Sequence, residues 1–233
     1  SFFITICTGM PTLALVWSSI SMLDMTTKSE PSKSGPTKSV VPGATWKVDT
    51  PQQHGMDAAT LEGARSYAFQ DGKHTQGVVV VRNGAIVAEW YAPGADQTSW
   101  AASWSMAKSV ASALVGIAIG EGKIPGIDVP MTTYYPDWAA RGLGDVTLRD
   151  VLEMSSGLAW NESYSPSELA TSDVIKMVVQ SPDELAYAAS RPKADPPGTT
   201  FNYTSGGAML LSGVLQQATG ESVERYAKQT LWE

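Results

Sequence analysis

The stretch Ser105-Met106-Ala107-Lys108-Ser109-Val110 opens a segment that can be little other than a packed helix. Val110, Leu114 and Ile117 recur at i, i+4 and i+7, with Ser109, Ala111, Ser112, Ala113, Val115 and Gly116 among them. A helix that is small or apolar on nearly every side belongs inside a protein. The pattern predicts that it ends around Gly120 to Gly122. At its mouth stand a serine and a lysine three residues apart, which on a helix share one face. A partly desolvated lysine amine gives up its proton more readily and can then act as a base toward the serine. The helix start adds free backbone N–H groups and a positive dipole end, both favouring the negative charge that develops during attack. An S-x-x-K pair arises by chance about once in a chain of this length. A second one is present, Ser190-Arg191-Pro192-Lys193, but its proline breaks helical geometry and leaves the two side chains unaligned. Ser105 and Lys108 are the candidates that the helix orients.

Composition narrows the chemistry. The chain has 233 residues, 43% hydrophobic and 17% charged, enough for a sizeable core. Its net charge of −7, with no basic run, argues against nucleic acid as a partner. The single cysteine, Cys7, rules out an internal disulfide and a Cys-based zinc site. With only His54 and His74, a histidine-rich metal cluster is excluded too, so neither metal nor cofactor is expected. No G-x-S-x-G elbow occurs, which weakens an ordinary Ser-His-Asp hydrolase reading.

Residues 1–23 are apolar until Asp24 and read as a secretory signal or membrane-anchor remnant, so the protein is expected to be exported. Residues 24–45, rich in Ser, Pro, Lys and Thr, read as a disordered linker. Residues 46–98 are expected to hold a helix and a β-hairpin. Asp57 can cap the helix, which runs to about Gln70. Gly77–Val81 and Ala85–Trp90 flank Asn83-Gly84, the preferred two-residue hairpin turn. The four consecutive valines suggest a strand covered on both faces. Residues 99–233 read as mostly helical. They include a T-x-x-D capping box at Thr147, a helix from Glu168 to Gln180, and a capping box at Ser181. Two further helices follow, one after Tyr203-Thr204-Ser205-Gly206 with Leu210, Leu211, Val214 and Leu215 inward, and one from Ser222 to Trp232.

Taken together, four ordered boxes resemble a known family. They are Ser105-Met106-Ala107-Lys108-Ser109-Val110, Leu152-Glu153-Met154-Ser155-Ser156-Gly157, Asn161-Glu162-Ser163-Tyr164, and Pro197-Gly198-Thr199-Thr200-Phe201-Asn202-Tyr203-Thr204-Ser205-Gly206. They are similar to those of serine hydrolases with the β-lactamase and penicillin-binding fold. The resemblance is narrower still to the branch of 6-aminohexanoate-dimer (nylon oligomer) hydrolases and related esterases. It implies an α/β plus all-α, β-lactamase/transpeptidase-like fold. It also implies a chain cut before the C-terminal strands of the central antiparallel sheet, because the family's third motif is not found after Tyr203. By the same resemblance Ser105 forms an acyl-enzyme, Lys108 is its base and Tyr203 relays the proton. Tyr164 corresponds to a tyrosine on a loop that closes over substrate, and Ser205 and Trp104 join it as substrate-binding residues. Ser205 stands where many β-lactamases carry Asn, which favours an amide- or ester-cleaving relative.

The expectation is therefore an exported serine hydrolase acting on a small-molecule amide or ester. Within the same fold, a β-lactamase or D-amino-acid peptidase remains open. From another class, a non-catalytic, membrane-tethered sensor would use the same pocket to bind a ligand.

Overall fold

The structure is a computed structural model and describes residues 2–8, as backbone, and 43–232. The expected signal or anchor segment beyond residue 8, and the expected linker as far as residue 42, lie outside the described residues. Contacts divide the chain into two units, Ser1–Ser103 and Trp104–Glu233.

The first unit is built on a four-stranded sheet. Its strands are β1 (Phe2–Thr8), β2 (Lys47–Val48), β3 (Thr75–Arg82) and β4 (Ala85–Tyr91), in the order β1-β3-β4-β2. Residues 2–8, part of the stretch read as a signal or anchor, pair antiparallel with β3, Phe2 opposite Arg82 and Cys7 opposite Gly77. The β3–β4 hairpin closes through Asn83 and Gly84, at φ 51° and 76°, the left-handed pair that a twisted two-residue turn requires. Helix α1 (Ala58–Ala68) starts where Asp57 accepts a hydrogen bond from the Thr60 N–H at 2.7 Å. Ala68 packs with Val78, Val80 and Val87, so the valine run is buried on alternate residues. Val79 and Val81 are only half-buried, where cover on both faces was expected. A strand's side chains alternate, and α1 supplies the packing partner for one set.

The second unit is helical. Its elements are α2 (Met106–Gly120), α3 (Leu148–Leu152), α4 (Asp173–Ile175, continued as a wider turn through Gln180), α5 (Glu184–Ala189), α6 (Ser205–Thr219) and α7 (Val223–Ala227). Helix α6 is the axis of the core, in contact with α2, α3, α5 and α7. Leu210, Leu211, Val214 and Leu215 are buried as the sequence pattern requires, against Leu114, Trp138, Leu148 and Tyr226. Tyr135 stacks on Trp138 and donates a hydrogen bond to the Leu210 carbonyl at 2.8 Å, so the polar end that it carries into this core is satisfied. Helix α2 buries one face only. Leu114, Val115 and Ala118 point inward, while Ser109, Ser112, Ala113 and Gly116 are exposed, because within this unit its partners lie along one side.

Two helix starts differ from the sequence reading. Helix α4 begins at Asp173, capped by Ser172, rather than at Glu168, and Val178 is exposed. Helix α5 is capped by Asp183, which accepts from the Ala186 N–H, while Ser181 spends its hydroxyl on the Asp183 carbonyl. Thr147 and Asp150 do form the reciprocal box at the start of α3. Among the described residues no helix is long and apolar enough to cross a membrane.

Candidate active site

Trp104, just before the N-cap of α2, has φ 44°, a left-handed conformation that costs a non-glycine residue roughly 1–3 kcal/mol. After it, Ser105 takes the N-cap position of α2 with helical rather than extended torsions, and its hydroxyl makes no capping bond. A serine at this place normally spends its oxygen on the first-turn N–H groups. Here the oxygen is left for side chains. Lys108, one turn on and on the same face, places Nζ 3.2 Å from Ser105 Oγ. Tyr203, in the segment before α6, donates from its hydroxyl to the same oxygen at 2.7 Å. Lys108 Nζ also lies 4.9 Å from the centre of the Tyr203 ring.

The start of α6 supplies the other side of the site. Thr204 caps it by accepting from the Gly207 N–H, which leaves Ser205 as its first helical residue. Ser205 Oγ accepts from Lys108 Nζ at 3.0 Å. The starts of α2 and α6 thus converge, and one lysine bridges their two serines.

Glu162 completes the arrangement, and the sequence reading did not single it out. Its Oε1 accepts from the Tyr164 hydroxyl at 2.8 Å and from the Ser205 hydroxyl. Its Oε2 accepts from the Ser205 N–H at 2.8 Å and from the Trp160 indole N–H. A signal was available, for Glu162 is the only charged residue between Glu153 and Glu168. Burial, then the adjoining Glu162 carboxylate, pushes the Tyr164 phenol up to about 12. The loop that carries Glu162 and Tyr164 is tied down at Asn161, whose N–H donates to Asp173 at 2.8 Å. Asp173 is itself held by the Tyr187 hydroxyl and the Arg191 guanidinium, at 2.6 and 2.7 Å.

Of the six residues singled out from the sequence, Ser105, Lys108, Tyr203 and Ser205 meet directly, and Tyr164 joins them through Glu162. Trp104 adjoins them in sequence, but it is 68% exposed and takes no part in these bonds. In the second S-x-x-K pair, Lys193 turns away to Asp145 and Ser190 bonds the Tyr187 carbonyl. Among the described residues no group of three or more His, Cys, Asp or Glu side chains could hold a metal ion.

The site thus presents a serine within bonding reach of both an amine and a phenol, at the meeting of two helix starts. The family model for beta-lactamases matches residues 53–233, and the chain belongs to that family. The chain is 25% identical over 173 residues to the 6-aminohexanoate-dimer hydrolase of Paenarthrobacter ureafaciens, covering 68% of this chain and 42% of that protein. Its fold is similar to that of the octameric penicillin-binding protein homologue from Pyrococcus abyssi, with a TM-score of 0.54 and 19% identity, over 76% of this chain and 42% of that one. A penicillin-binding protein homologue from Caulobacter crescentus gives a TM-score of 0.53 at 16% identity, over 80% and 49%. The chain thus spans about half the length of these relatives.

Proposed function

We propose that this chain carries the catalytic serine, base and proton relay of an exported hydrolase. It cleaves small amides or esters through an acyl-serine intermediate. The observation that carries the reading is the double approach to Ser105 Oγ, by Lys108 Nζ at 3.2 Å and Tyr203 Oη at 2.7 Å. A neutral serine is a poor nucleophile without a base in reach. Lys108 takes the Ser105 proton as Oγ attacks the substrate carbonyl, forming the C–O bond and an oxyanion. The Ser105 backbone N–H, at the positive end of α2, faces the developing charge. When the tetrahedral intermediate collapses, the bond to the amine or alcohol breaks, Tyr203 gives that group its proton, and Lys108 returns the proton it took from Ser105 to Tyr203. Water then attacks the acyl-serine by the same route in reverse, releasing the acid and restoring Ser105.

The reaction needs neither metal nor cofactor, because these three side chains supply nucleophile, base and relay. Likeness to a 6-aminohexanoate-dimer hydrolase supports an amide-cleaving reading. The apolar stretch before Asp24 supports export. The test is covalent labelling. A fluorophosphonate should add once, at Ser105, and Ser105→Ala should abolish both labelling and turnover of p-nitrophenyl acetate. A label elsewhere, or turnover by the alanine variant, would overturn the reading.

A further inference from the structure

The proton relay just proposed has a weak point, which is the Lys108 lone pair. That pair must face Ser105 to accept its proton. Ser205, 3.0 Å away on the other side of Lys108, has a hydroxyl that could equally donate into the pair and block it. What prevents this is on the far side of Ser205. Four donors converge on the Glu162 carboxylate, two on each oxygen, which fills the sites an ionised carboxylate offers. One of them is the single proton of Ser205 Oγ. Once that proton is committed to Glu162, Ser205 can only accept from Lys108, and the chain of bonds runs one way, from Lys108 to Ser205 to Glu162.

We infer that Glu162 is a positioning residue for the base: by holding the Ser205 proton, it keeps the Lys108 lone pair open to Ser105. The inference rests on the serine–lysine reading proposed above. Glu162 does the same to Tyr164, whose hydroxyl proton it also holds.

Glu162→Gln tests the direction of these bonds rather than their presence. The two N–H donors at the Oε2 position, from Ser205 and Trp160, cannot reverse, so the glutamine oxygen must settle there. Its NH2 group then faces Ser205 Oγ and Tyr164 Oη and donates to both. Ser205 is turned around, and its proton points at Lys108.

The experiment compares wild type, Glu162→Gln, Ser205→Ala and the double variant, reading the fluorophosphonate and p-nitrophenyl acetate acylation rates and the melting temperature of each. Glu162→Gln should lose roughly ten-fold or more in the acylation rate, with KM and melting temperature little changed. Ser205→Ala should lose less, because no hydroxyl remains to block the amine. The double variant should recover to the Ser205→Ala rate, a suppression that loss of structure does not produce. Wild-type acylation in Glu162→Gln, or losses that multiply in the double variant, would overturn the inference while leaving the proposed function standing. Failure of wild type itself to acylate at Ser105 would overturn both. Should Glu162→Gln unfold, Ser205→Ala still decides: a loss as deep as that of Lys108→Ala would show that Ser205, and not its orientation by Glu162, is what the base requires.

Discussion

Gly206 lies directly under the ring of Trp160: a Cβ built on it would stand 2.5 Å from Trp160 Cζ3, well inside van der Waals contact. The glycine is in the first turn of α6, next to Ser205, and the indole above it donates to Glu162. The close approach therefore couples the start of α6 to the loop that bears Glu162 and Tyr164.

Gly206→Ala should push Trp160 off this seat. Forcing a methyl group into a filled contact costs about 1–3 kcal/mol. The melting temperature should drop by several degrees, and acylation should fall because Glu162 loses a donor and its place. Thermal unfolding with p-nitrophenyl acetate turnover checks both. An alanine variant with unchanged melting and turnover would mean that the ring moves aside at no cost.

Asp173 is the anchor of the same loop, holding the Asn161 N–H, the Tyr187 hydroxyl and Arg191. Asp173→Ala leaves three half-buried donors without their acceptor, each a loss of about 1–3 kcal/mol where water cannot reach it. Stability by denaturant titration should fall by several kcal/mol at most, and catalysis with it, although Asp173 touches none of the reacting groups. Full activity in this variant would show that the loop is held by something else.

How much of this was legible in the sequence depends on distance along the chain. Asn83-Gly84, the Thr147–Asp150 box and the apolar stripe of α6 were readable, because each is decided by residues within a turn of one another. Ser105 and Lys108 belong to the same group, since α2 itself sets their spacing. Glu162 stands out in the sequence as a lone charge, but its role was not readable, because that role comes from the donors Ser205 N–H and Oγ, which the fold brings to its loop from the start of α6. The late start of α4 has a similar cause. Asp173 and Ser172 are tied at the helix start by bonds to Asn161 and Ile175, so the periodic residues before them stay in turns. Val79 and Val81 misled in the opposite direction, since a run of valines records β-propensity and not which face will be covered.

If Tyr164 belongs to a loop that closes over substrate, as the resemblance implies, it should separate amide from ester cleavage. Its hydroxyl rests on Glu162, and it must turn from there to offer a hydrogen bond to a leaving nitrogen. An alkoxide or phenolate departs without that help, whereas an amine does not. Tyr164→Phe should lower amide kcat by roughly ten-fold or more and leave ester turnover near wild type. Equal losses on both substrates would assign Tyr164 to packing alone.

The same residue bears on alkaline stability. Burial, with the Glu162 carboxylate, lifts its phenol from an ordinary value of 10.0 to about 12, so the folded protein keeps a proton that the unfolded chain loses sooner. The stabilisation is fully present below about pH 10 and is lost as pH rises toward the folded value. Stability should therefore fall with pH through this window, and Tyr164→Phe should make the fall shallower. Denaturant melts between pH 9 and 11.5 measure both slopes, and identical slopes would contradict the assignment.

The central claim is that Ser105, activated by Lys108, is the nucleophile. Its most direct test is intact and peptide-level mass spectrometry of the protein after brief exposure to a fluorophosphonate. The account predicts one adduct, on Ser105, absent in Ser105→Ala and nearly absent in Lys108→Ala, with both variants melting within a few degrees of wild type. An adduct on Ser190 or Ser205, or full labelling of Ser105 without Lys108, would contradict it.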